Sequence, residues 1–170
     1  MQMKTEVTAE GPADAHAIRE VNERAFGRPD EADIVDRVRA SPGFLPGLSL
    51  IARVGGMVVG HAMFSAVPVE IGGERWIAIA LAPVAVTPEM QRLGVGSALI
   101  REGIRICTVQ RHRLIAVIGH PEYYPRFGFV PASRFGISCN IPVPDSVFMA
   151  LPLDETCNFS GYLVYPPAFF

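Results

Sequence analysis

Val84-Ala85-Val86-Thr87-Pro88-Glu89-Met90-Gln91-Arg92-Leu93-Gly94-Val95-Gly96-Ser97-Ala98-Leu99-Ile100 takes the chain from one kind of structure into another. An apolar β-type run, Trp76 to Val86, stops at Pro88. A turn holding Gly94 and Gly96 follows, and then a helix begins. Gly96, Leu99, Ile100, Gly103, Ile104 and Cys107 recur at i, i+3, i+4, i+7, i+8 and i+11, so one face of that helix is small or apolar. Strand, glycine turn and helix N-terminus together suit phosphate. The first-turn N–H groups point outward, and the helix dipole places roughly half a positive charge there. Glycine lets the backbone approach an anion closely. Two familiar phosphate motifs fail here. A Walker loop needs Gly-Lys-Ser/Thr, which is absent. A dinucleotide fingerprint needs a small residue at position 99 and an acid about 20 residues on; positions 99 and 114 are both Leu.

A second segment lies downstream. The apolar strand Leu114-Ile115-Ala116-Val117-Ile118 ends at Gly119-His120, and Pro121-Glu122-Tyr123-Tyr124-Pro125-Arg126-Phe127-Gly128-Phe129 follows. Gln-x-x-Gly-x-Gly after a strand resembles the acetyl-CoA pyrophosphate loop of the GNAT superfamily of acyl-CoA-dependent N-acyltransferases. The tyrosine segment ending in Gly-Phe resembles that family's second motif, in the right order and at the right separation. The chain is most similar to a bacterial subgroup of small predicted N-acetyltransferases that end in Phe-Met-Ala-Leu and a tyrosine-proline tail. Phe148 to Leu151 and Tyr165 to Pro167 match those endings.

The resemblance implies a site. Its cofactor, acetyl-CoA, enters where the fourth and fifth strands splay into a V. Backbone groups around Val84, Ala85 and Val86 would pair with the pantetheine arm. N–H groups across Gln91, Arg92, Leu93, Gly94, Val95, Gly96 and Ser97 would hold the pyrophosphate. His120 stands where relatives place a CoA contact, and a water chain would serve as base where several relatives carry an acid on the fourth strand. Tyr124, counted back from Gly128-Phe129, matches the family tyrosine and would protonate the CoA sulfur. Two readings stand for it: catalytic acid, or packing against pantetheine. The acceptor amine would lie near the 22–30 loop, the Met57 strand and the region after Gly128, with Phe26 and Ser65 as candidates. Phe26 also reads as core, and Ser65 as a surface residue. The implied function is acetyl transfer from acetyl-CoA to a primary amine by direct attack on the thioester; the alternative is a non-catalytic CoA-binding regulator.

Composition bounds these readings. The 170 residues suit a single domain, 1–170, with a full core, and 49% are apolar. A net charge of −2 argues against a nucleic-acid face. The arginines nonetheless gather: Arg92, Arg101, Arg105, Arg111 and Arg113 lie between Gln91 and Arg113, against Glu102 alone. They read either as a solvated face or as a positive rim for a ligand with several phosphates. Cys107, Cys139 and Cys157 are odd in number and widely spaced, with no metal pairing, which indicates a reduced, cytoplasmic protein and no metal site. No apolar h-region or spanning run is visible, so no membrane partner is expected. The apolar tail Tyr165 to Phe170 covers either the core or a homodimer contact.

Taken in order, the periodicities predict a strand at Lys4–Ala9, two helices, and strands at Leu48–Val54, Met57–Val69 and Arg75–Val86 joined by Gly55-Gly56 and Gly72-Gly73 turns. After the glycine-turn helix come the Leu114 strand and a short helix near Tyr123. Strands at Gly136–Cys139 and Val147–Leu153 follow, with a last edge near Ser160–Tyr165. This mix is α+β, and the resemblance adds a mixed, mainly antiparallel sheet flanked by helices.

Overall fold

The computed structural model describes residues 3–155 and 159–170; Cys157 lies outside them. Among the described residues nine strands form one sheet: β1 (Thr5–Ala9), β2 (Ser49–Val54), β3 (Met57–Ile71), β4 (Glu74–Val86), β5 (Leu114–Ile118), β6 (Val130–Pro131), β7 (Ile137–Cys139), β8 (Phe148–Pro152) and β9 (Gly161–Leu163). The main path runs β1-β2-β3-β4-β5-β8-β6, while β9 joins the far half of β3 and carries β7. Every pair is antiparallel except β4–β5 and β7–β9. The helices α1 (Ala15–Phe26), α2 (Asp30–Arg39) and α3 (Val95–Val109) complete the α+β architecture of the described residues.

Local chemistry explains the boundaries. Gly55-Gly56 and Gly72-Gly73 all take positive φ, the mirror-image turn that matches strand twist. α1 ends at Gly27 in the left-handed region, whose N–H returns to the Glu23 carbonyl. α2 places Asp30, Glu31 and Asp33 in its first turn and Arg37 and Arg39 in its last, both favourable to the helix dipole. The expected helix near Tyr123 is a single 3₁₀ turn, Tyr124–Phe127. Pro125 has no N–H to extend it backward, and Gly128 at φ 100° ends it. The expected last edge is internal: β9 fills the place beside β3 that β2 leaves open.

The sheet sorts its side chains with period two. Phe64, Ile79, Leu81, Ile115, Val117 and Met149 face α3 and pack on Leu99, Ile100 and Cys107. Ala78, Ala80, Leu114, Ala116, Phe148 and Ala150 face the other way, and Phe159, Leu163 and Tyr165 pack in the same cluster. α1 and α2 pack Ile18, Val35 and Val38 against Ile51 and Met63. Arg19 ties the two helices together through Asp33 and Asp36, each at 2.8 Å.

The splay has a visible cause. β4 and β5 pair from Ile79–Ile115 to Leu81–Val117 and no further. At that point the β3–β4 register slips: Ala82 and Pro83 together oppose Met63. The extra residue bends β4, and Pro83 has no N–H to offer a neighbouring strand. β4 then runs on to Val86 with β5 gone from its side.

Candidate active site

The gap between β4 and β5 opens into a cleft of about 1010 Å³. Val84 and Val86 line one wall, and Gln91, Arg92, Gly94, Gly96 and Ser97 the floor at the start of α3. His120 to Tyr124, with Arg126, form the opposite wall.

The β4 wall presents backbone. Beyond the bulge, Val84, Ala85 and Val86 stand opposite Ala62, His61 and Gly60. The Thr87 N–H donates to the Val59 carbonyl at 2.9 Å. Antiparallel pairs alternate, so Ala85 turns its amide groups toward β3 while Val84 and Val86 turn theirs to the open side. The Gln91 side-chain amide donates to the Val86 carbonyl at 3.0 Å, which latches the glycine turn onto the strand. α3 begins at Gly94, φ 87°, with no side chain capping its first turn. Its N–H groups have no intrahelical acceptor, and they open on the cleft.

Tyr124 is buried, at 8% exposure, yet still reaches the cleft. A Cβ built on Gly119 would stand 2.3 Å from its ring, so only glycine fits at the end of β5. Phe129 and Tyr123 meet the ring edge-on at 5.7 and 5.1 Å. Burial, reinforced by the neighbouring Tyr123, pushes its phenol up to about 12. Tyr124 therefore stays protonated throughout the physiological range.

The sequence-derived residues divide. Val84, Val86, Gln91, Arg92, Gly94, Gly96, Ser97, His120 and Tyr124 meet in this one cleft. Ala85 and Val95 turn their side chains into the core, at 2% and 1% exposure. Leu93 is exposed beside the turn. Phe26 sits exposed at the end of α1 and Ser65 is buried opposite Ala80; neither lines the cleft. Ser65 takes a core place rather than a surface one, because the centre of β3 is covered on both faces. The arginine cluster divides too: Arg105 pairs with Glu102 at 2.7 Å, and Arg113 lies over Trp76 at 4.8 Å. Arg92 lines the cleft with Arg126, a residue the sequence reading passed over. Tyr123 and Glu122 also line it. Their only signal was membership of the same tyrosine segment.

A family model described as an acetyltransferase (GNAT) domain matches residues 7–132. The chain belongs to the GNAT acetyltransferase family. Escherichia coli K12 YjhQ, described as an uncharacterized N-acetyltransferase, is 41% identical over 134 residues, which is 78% of this chain and 74% of YjhQ. The N-acetyltransferase YhbS of the same strain, likewise described as uncharacterized, is 32% identical over 154 residues, 89% of this chain and 90% of YhbS. The crystal structure of YhbS in complex with CoA superposes with a TM-score of 0.89 at 28% identity, covering 98% of this chain and 92% of that one. A Brucella melitensis GNAT acetyltransferase in complex with acetyl-CoA gives 0.81 at 33% identity, covering 99% of each. The open β4–β5 pair of this GNAT chain is thus set in a fold shared over nearly its full length.

Proposed function

We propose that this GNAT protein, acting as one acyltransferase domain over residues 1–170, moves an acetyl group from acetyl-CoA to a primary amine by direct attack on the thioester. The observation that carries the proposal is the cleft itself. One continuous space joins a strand edge with outward-turned N–H groups, at Val84 and Val86, to an uncapped helix N-terminus. A ligand that is a diamide arm at one end and a diphosphate at the other matches both. YhbS and the Brucella protein, solved with CoA and acetyl-CoA, support the same assignment.

The chemistry follows from the groups in place. The amine enters as its conjugate acid, with a pKa of roughly 10, and must first lose a proton. Its lone pair then forms a C–N bond to the thioester carbonyl. The Val86 N–H, turned to the open side, is placed to donate to the oxyanion. As the C–S bond breaks, the thiolate takes up one proton, and the proton lost by nitrogen balances it. Tyr124 lies along that path. A thiol titrates near 8.5 and this phenol at about 12, so complete transfer from phenol to thiolate is uphill by roughly three units. Tyr124 therefore acts as a hydrogen-bond donor to sulfur and passes on a proton only as the nitrogen supplies another. No carboxylate lies on β4 between Ile77 and Val86. His120 and Glu122, on the opposite wall, are the bases that water in the cleft can reach.

Incubation with acetyl-CoA and a broad amine panel, followed by thiol release, tests the proposal. Acceptor-dependent thiol release is the expected result. Tight CoA binding without release on any amine would instead favour a CoA-binding regulator.

A further inference from the structure

Tyr123 is the residue that the transfer chemistry leaves unused. Its hydroxyl stands 3.1 Å from the position a Cβ on Gly96 would occupy, directly over the first turn of α3. Three contacts fix its ring there: Tyr124 edge-on at 5.1 Å, Phe127 edge-on at 5.4 Å, and the Arg126 guanidinium 4.4 Å from the ring centre. Arg126 is itself held, because its Nε donates to the Tyr123 carbonyl at 2.9 Å. That leaves the terminal nitrogens of the fork outside any ion pair among the described residues. A phenol donor thus stands over the uncapped first turn of α3, and a guanidinium stacked on its ring lines the same cleft.

Resting on the acetyl-CoA reading above, we infer that Tyr123 and Arg126 form the upper jaw of the diphosphate site, closing over an anion held from below by the start of α3. The adjacent tyrosines then divide the donor between them: Tyr124 serves the sulfur and Tyr123 the diphosphate. Phenol and guanidinium are both donors without a competing carboxylate bond, and charge-assisted bonds to phosphate oxygens are the strong ones. Arg126 stacked on Tyr123 also makes the phenol a better donor, because the nearby cation withdraws charge from the ring.

The test is donor truncation, read as binding by titration calorimetry, with pantetheine measured by competition. Wild-type protein, Tyr123→Phe and Arg126→Gln are each titrated with CoA, 3′-dephospho-CoA and pantetheine. Phenylalanine keeps the ring and its packing, and the melting temperature of each variant checks the fold. Loss of one bond to a charged group is about tenfold in affinity. The expected result is about tenfold weaker binding of CoA and 3′-dephospho-CoA by Tyr123→Phe, with pantetheine unchanged. Arg126→Gln should weaken the same two ligands and spare the third. Equal losses on all three ligands, no loss on any, or a loss confined to CoA would each overturn the inference. Failure of the wild-type protein to bind CoA would remove the acetyl-CoA reading itself, and that control is read before the variants.

Discussion

Tyr124 keeps its proton because its ring is wedged between Gly119, Phe129 and Tyr123, where a phenolate would be poorly solvated. The same burial that makes it a weak acid makes it a dependable donor at neutral pH. Tyr124→Phe removes only the hydroxyl, so the fold should survive while turnover falls by about a hundredfold, the lower end of the range for a lost proton-handling group. Steady-state kinetics on acetyl-CoA and the best amine of the panel check this. Unchanged kcat would remove Tyr124 from the mechanism. The alkaline side offers a second reading. With the phenol raised to about 12, wild-type activity should show no loss from its ionisation at the ordinary tyrosine value of about 10. A decline there that is absent in Tyr124→Phe would mean that the hydroxyl is more exposed than its packing indicates. Stability obeys the same sign. A phenol with a raised value stabilises the fold below its unfolded value near 10, and the contribution is lost as pH climbs toward 12.

α3 must lie close to the sheet for its first turn to face the β4 edge, and a small residue permits this. A Cβ on Gly103 would come within 2.0 Å of the Phe64 ring, and Phe64 is fully buried. Gly103→Ala gains up to about 1 kcal/mol in helix propensity. The ring has nowhere to go, however, and overpacking of this kind costs about 1–3 kcal/mol. The expected net effect is a melting temperature lower by several degrees, at about 2–4 °C per kcal/mol for a chain of this size. Adding Phe64→Leu should recover part of the loss, and a higher melting temperature in Gly103→Ala alone would contradict the packing. This element was legible in the sequence, since the spacing of Gly96, Leu99, Ile100, Gly103 and Cys107 predicts both its existence and its inner face. The paired glycines at 55–56 and 72–73 likewise announce their hairpins. The bulge at Ala82-Pro83 was not legible, because a bulge is defined by the partner strand: it exists only where two residues meet Met63. The two-residue strand β6 is too short to show any alternation. Ser65 reads as a surface residue in the sequence, and is buried in the fold, because period two says which residues share a face but not whether that face is covered. Tyr123 lies one residue early for the family tyrosine, and Arg126 two residues after it, so the spacing of the motif assigns neither a role. The meaning of Tyr123 depends on a distance to Gly96, 27 positions earlier in the chain, that only the assembled cleft reveals.

The whole molecule is two helical layers closed on one sheet, and a polar cluster lies inside the closure. His61 on β3 is fully buried. Its Nδ1 lies 3.2 Å from the Asn22 side-chain amide nitrogen of α1, which makes Nδ1 the acceptor and puts the proton on Nε2. Nε2 then donates to the Ser49 hydroxyl of β2 at 3.0 Å. The ring thus ties α1 to two central strands, but only while it is neutral. Burial, with the Arg39 charge added to it, lowers its pKa to about 3. The unfolded imidazole titrates near 6.5, so between these values the unfolded chain binds a proton that the folded one refuses. Stability is therefore full above about pH 6.5 and falls as pH drops toward 3. At about 1.4 kcal/mol per unit, moving from pH 6.5 to 5 removes roughly 2 kcal/mol, or about 4–8 °C in melting temperature. The carboxylates held low by arginines, Glu31 and Glu102, contribute at lower pH, because their depressed values keep them charged through this window. His61→Gln keeps hydrogen-bonding atoms and cannot titrate. It should start less stable at pH 7, because its amide does not reproduce both ring bonds, and then lose much less between pH 6.5 and 5. If thermal melts of the two proteins fall in parallel across that interval, the acid sensitivity belongs to another group and His61 only packs.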